Sequence, residues 1–127
     1  MDQNLFKVKG TYVNGTWFND SKTYEVINPS NNTVLAKIPI SSTEELELAV
    51  QSASKAQKEW AKVSIVKRAD LILKLCSRIE ERVEEFALMD TYNAGNAITF
   101  ARKDVLQAVA NMKYFAGLVR EVKGETF

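Results

Sequence analysis

Few residues in this 127-residue chain are equipped for chemistry. Cys76 is the single thiol, and no histidine is present to serve as its base. The lack of histidine removes the commonest general base, the serine and cysteine triads, and most transition-metal sites. Cys76 lies between Ile72 and Ile79 on an apolar stripe with no base in reach on its own helix, so it reads as an inert core thiol. Glu80-Glu81 and Glu84-Glu85 could offer paired carboxylates, but Arg78 and Arg82 interleave them. A solvated helix face with ion pairs four residues apart accounts for that pattern. Trp17, Trp60, Tyr114 and Phe115 read as packing anchors rather than base-stacking platforms. Gly10, Gly15, Gly95, Gly117 and Gly124 form neither a dinucleotide fingerprint nor a phosphate loop. Residue chemistry alone yields no active site.

Composition narrows the class further. The hydrophobic fraction of 46% with 26% charged residues is that of a soluble globular protein. A net charge of +1 leaves no basic footprint for nucleic acid. No stretch approaches the roughly 20 apolar residues of a membrane span, and Met1 to Val8 does not resemble a signal peptide. Asn14-Gly15-Thr16, Asn19-Asp20-Ser21 and Asn31-Asn32-Thr33 match the glycosylation pattern, but without a secretory signal they read as turn chemistry. One cysteine excludes an internal disulfide and fits a reducing cytoplasm, the expected location.

The elements follow from patterning. Thr11-Tyr12-Val13 and Thr16-Trp17-Phe18 flank Asn14-Gly15, a strong hairpin signal because both turn positions need positive φ. A second hairpin runs from Thr23 to Ile27, through a turn at residues 28–32, to Thr33–Ile38, with Pro39 closing it. Ser42-Thr43-Glu44-Glu45 is a capping-box pattern opening a helix to about Lys62, with Leu46, Ala49, Val50, Ala53 and Trp60 on one face. Ser64 caps a central helix whose Ile65, Ala69, Ile72, Cys76, Ile79, Val83 and Phe86 share a stripe, with Leu71, Leu73 and Leu75 widening it. That helix ends at Asn93-Ala94-Gly95, and a break near Arg82 is left open. A third helix spans Ala97 to Lys123, with Ile98, Ala101, Val105, Ala108, Met112, Phe115 and Val119 inward and Gly124 as its C-cap. The expected architecture is α/β in class, the piece itself reading α+β: two β-hairpins followed by three long amphipathic helices. It is treated as a single partial domain over residues 1–127, with a hairpin region to residue 40 and a helical region beyond.

In order and spacing, a series of short stretches resembles the amino-terminal portion of the NAD(P)-dependent aldehyde dehydrogenase superfamily. They are Tyr12 to Trp17, Tyr24 to Asn31, Ala49 to Ala53 with Glu59-Trp60, Arg68 to Leu73, Ile79 to Arg82, Lys113 to Gly117 and Gly124-Glu125-Thr126. The resemblance implies the leading part of a Rossmann-like cofactor domain. In the family, a cysteine thiolate attacks the aldehyde to give a thiohemiacetal, hydride passes to NAD or NADP, and a glutamate-activated water releases the acid. The nucleophile, that glutamate, the oxyanion asparagine and the pyrophosphate-holding residues belong to parts of the family's chain downstream of Phe127. Cys76 does not match the nucleophile's motif, so the catalytic and oligomerisation domains lie elsewhere.

What carries over to this chain is slight. Lys103 and Gln107 match positions bordering the substrate entrance, where Lys103 would favour an anionic aldehyde. Ile27 and Asn93 match positions where some members hold a monovalent cation; Asn93 stands where a carboxylate is usual, and Asn96 where a lysine is common. The resemblance implies the remainder of the dehydrogenase chain as partner, a homo-oligomer, no nucleic acid and no membrane. The segment alone is expected to hold no cofactor and to be inactive. The rival expectation is a free-standing helical module that self-associates or binds a partner.

Overall fold

The computed structural model describes residues 5–19 and 22–121. Four strands precede four helices: β1 (Thr11–Val13), β2 (Thr16–Phe18), β3 (Thr23–Ile27), β4 (Val34–Pro39), α1 (Thr43–Trp60), α2 (Ile65–Glu80), α3 (Val83–Ala94) and α4 (Ile98–Gly117). A 3-10 turn, Leu118–Arg120, follows α4. The chain divides into two compact units, Met1–Lys62 with Met89–Gly95, and Val63–Leu88 with Asn96–Phe127.

The first unit carries both hairpins as separate two-stranded antiparallel sheets. Asn14 (φ 48) and Gly15 (φ 85) occupy the left-handed region, the backbone a two-residue turn requires to match strand twist. This sets Val13 opposite Thr16 and Tyr12 opposite Trp17. Val13 is buried, while the Tyr12 and Trp17 rings meet on the surface with centroids 4.9 Å apart. In the second hairpin, Val26 pairs with Ala36 and Ile27 with Val34, so Leu35 is an extra residue that bulges β4. Its connecting turn is built on buried Asn28, whose N–H donates to the Thr33 carbonyl (2.8 Å) and whose Oδ1 accepts from Ser30 N–H (2.9 Å).

Helix α1 begins as expected. Ser42 Oγ accepts from Glu45 N–H at 3.2 Å, and Glu45 Oε2 accepts from Ser42 N–H at 3.1 Å. Its buried face differs from the expected one. Glu45 is buried, whereas Leu46, Val50, Ala53 and Trp60 are exposed. The apolar stripe records that this face needs a cover, and among the described residues the chain does not supply one.

The second unit is centred on α2 against α4. Ser64 caps α2 by accepting from Lys67 N–H, as expected. The buried residues are small: Ala69 and Cys76 from α2, Ala87 from α3, and Ala101, Val109 and Ala116 from α4. Small side chains at a crossing let helix axes approach closely. Cys76 is fully buried, its Sγ 4.0 Å from the Val109 carbonyl oxygen, so the core reading of that thiol holds.

Two expectations are corrected in this unit. The central pattern forms two helices rather than one, giving four helices in place of three. At the junction, Arg82 N–H donates to the Ile79 carbonyl three residues back (3.0 Å), and Phe86 N–H to Arg82 resumes the four-residue step. Such a tightened turn needs no Gly or Pro and leaves the apolar pattern almost unchanged. On α4 the inward face runs through Ala101, Val105, Val109, Met112 and Ala116, while Ala108 and Phe115 are exposed. A seven-residue step falls about 20° short of whole helical turns, so reading from Ala101 through Ala108 to Phe115 drifts off the buried face. Helix α4 ends at Gly117; Lys123 and Gly124, the expected helix end and cap, lie outside the described residues.

Candidate functional site

Lys103 and Gln107 stand one turn apart on the solvent side of α4, both exposed. The Lys103 ammonium lies 5.8 Å from the centre of the Phe100 ring, and Gln107 Nε2 donates to Asn111 Oδ1 at 3.0 Å. An ammonium over an aromatic face remains accessible to an anion arriving from solvent. Phe100 is 64% exposed, so this part of α4 presents an apolar ring beside a cation.

Ile27 closes β3 at the bulge, and Asn93 lies in the last turn of α3. Asn93 helps line an apolar cavity of about 290 Å³ in the first unit, together with Phe6, Val26, Ile38, Met89 and Asp90. Val26 rather than Ile27 reaches that cavity. Gly95 (φ 78) ends α3 in the left-handed conformation expected of it, its N–H donating to the Thr91 carbonyl at 3.0 Å. A β-carbon there would sit 3.1 Å from Pro29 Cγ, so the helix end comes close to the turn that follows β3. The cavity was not legible in the sequence, because its walls come from distant stretches.

The carboxylates of α2 and α3 behave as an ionic surface. Arg78–Glu81 and Arg82–Glu85 pair at three-residue spacing rather than the expected four. Glu84 instead reaches across to Arg102 of α4, and Glu80 to Lys113, whose Nζ lies 2.7 Å from both carboxylate oxygens. The Arg102 guanidinium, donating to Glu84, holds that carboxyl below the ordinary glutamate value. The same bond raises Arg102, and Glu85 raises Arg82. Among the described residues, no cluster of three or more His, Cys, Asp or Glu side chains could hold a metal ion. Trp17, Trp60, Tyr114 and Phe115, expected as packing anchors, are all exposed, Phe115 by 67%, and Trp17 packs its ring only on Tyr12 among the aromatic residues described.

The described residues thus form two small hairpins and four helices with ionic and exposed apolar surface. The sequence profile of the aldehyde dehydrogenase family matches residues 17–127, and the chain belongs to that family. An aldehyde dehydrogenase-like protein of Schizosaccharomyces pombe is 32% identical over 117 residues, which is 91% of this chain and 24% of that protein. The NAD+ complex of a betaine aldehyde dehydrogenase variant from Staphylococcus aureus superposes on all of this chain with a TM-score of 0.90 and 26% identity, over 27% of its own length. An aldehyde dehydrogenase of Brucella melitensis biovar abortus 2308 gives a TM-score of 0.90 and 29% identity, covering 99% of this chain and 26% of that one. The chain thus spans about a quarter of the length of the relatives it matches. Among the described residues, no helix is long and apolar enough to cross a membrane.

Proposed function

We propose that this chain forms the amino-terminal segment of a cytoplasmic, NAD(P)-dependent aldehyde dehydrogenase that oxidises an aldehyde to a carboxylic acid through a cysteine thiohemiacetal. The observation that supports this is the continuous family match from residue 17 to residue 127, carried on a fold that superposes throughout on an NAD+-bound relative. The segment covers part of the cofactor domain and borders the substrate entrance, where Lys103 and Gln107 face the incoming aldehyde. Its natural partner is the rest of the dehydrogenase chain, within a homo-oligomer. Ile27 and Asn93 mark the position of a monovalent cation in some members; an asparagine amide supplies dipole rather than charge there and makes a weaker ligand.

The segment alone carries out no oxidation, since a buried thiol without a base cannot attack a carbonyl. Purified chain incubated with neutral and anionic aldehydes and either dinucleotide should form no NADH above that of a Cys76→Ala control. Thiol-dependent NADH formation would refute the assignment. A second reading is favoured by the exposure of Leu46, Val50, Phe100 and Phe115: a module that self-associates through these faces. An in-frame continuation of the coding sequence past Phe127 separates the two readings.

A further inference from the structure

The geometry points to Asn14 as a site of spontaneous backbone modification, in which the hairpin tip converts to isoaspartate. Four observations converge on this residue. Asn14 is followed by Gly15, the one neighbour with no side chain to obstruct attack by its own backbone nitrogen. Both residues are exposed, and nothing lies within 4 Å of where a Gly15 β-carbon would be. Among the described residues, no hydrogen bond holds the Asn14 carboxamide or the Gly15 N–H. The turn is closed by strands of only three residues each, so local opening into a reactive geometry is cheap.

The chemistry balances without any oxidant or cofactor. The Gly15 nitrogen loses its proton to solvent base and attacks Asn14 Cγ. The new N–Cγ bond forms as the Cγ–Nδ2 bond breaks, and nitrogen leaves as ammonia, giving a five-membered succinimide. Water then opens the ring at either carbonyl, producing isoaspartate or aspartate. Either product replaces a neutral amide with a carboxylate and lowers the formal charge of +1 by one. Isoaspartate also routes the backbone through an extra methylene, which breaks the two-residue turn and the Tyr12–Trp17 pairing.

Three other asparagines are guarded. Asn28 Oδ1 accepts from Ser30 N–H, and its successor Pro29 has no N–H to lose. Asn31 Oδ1 accepts from both the amide and the hydroxyl of Thr33. Asn111 lies inside α4, its Oδ1 accepting from Gln107.

The test is incubation of the purified chain at mildly alkaline pH, followed by tryptic mapping and methyl labelling with an isoaspartyl methyltransferase. The peptide from Gly10 to Lys22 should gain the mass of amide-to-acid conversion at Asn14, with isoaspartate exceeding aspartate, while the peptides carrying Asn31 and Asn111 stay unchanged. The intact chain should shift to a lower isoelectric point, and Asn14→Gln should abolish both signals. The inference is overturned if Asn14 in the chain stays an amide while the excised peptide converts under the same conditions. It is equally overturned if aspartate forms without isoaspartate.

Discussion

Cys76 shows how far a single residue's neighbourhood decides its chemistry. The thiol has no solvent exposure, and its Sγ lies 4.0 Å from the Val109 carbonyl oxygen inside the α2–α4 packing, out of reach of a reagent in solvent. A thiol-reactive disulfide reagent should therefore leave it unmodified in the native chain and titrate it completely in denaturant, the fast phase appearing only on unfolding. Gly95 is decided by backbone instead. At φ 78, with Pro29 Cγ 3.1 Å from the site of a β-carbon, Gly95→Ala meets both the left-handed penalty and a close contact. A loss of about 1–2 kcal/mol is expected from urea unfolding, the left-handed cost alone accounting for most of it.

At the scale of elements, caps and turns were the most legible features. Ser42 and Glu45 satisfy each other's amides as their spacing requires, and Ser64 caps α2. These devices act within four residues, so a linear pattern contains everything needed to place them. Ser42→Ala should cost roughly 1 kcal/mol, visible as fraying at the start of α1 by amide exchange, while Thr43→Ala should not. What a linear pattern could not place was the break at Arg82 and the inward face of α4. The first is a hydrogen-bond exchange among residues that all favour helix. The second depends on a drift of 20° or so per heptad, which accumulates over α4 until Phe115 leaves the face and Val109 and Ala116 join it.

For the whole molecule, the balance lies between ionic ties and uncovered apolar surface. Glu84–Arg102 and Glu80–Lys113 join α3 and α2 to α4 across the solvent side. Because Arg102 lowers the folded-state pKa of Glu84, that tie contributes fully above the ordinary carboxylate range and is lost as pH falls through the depressed value. Acid titration of the wild type against Glu84→Gln should show their stabilities converging at low pH, with the small difference shrinking in high salt. The exposed Leu46, Val50, Trp60, Phe100 and Phe115 act in the opposite direction. Sedimentation of the chain alone should show concentration-dependent association, relieved by Phe100→Ser with Phe115→Ser; a persistent monomer would count against the uncovered faces being interfaces.

The order of the strands, the two hairpin turns, the starts of α1 and α2 and the kinship to aldehyde dehydrogenases could all be read along the chain, since each rests on residues close together or in fixed succession. Which apolar faces are buried, which carboxylates cross between helices and where Asn93 meets Val26 around a cavity could not. Those outcomes depend on surfaces brought together from distant stretches. An amphipathic stripe states that a helix needs cover, but the identity of the cover belongs to the folded partner.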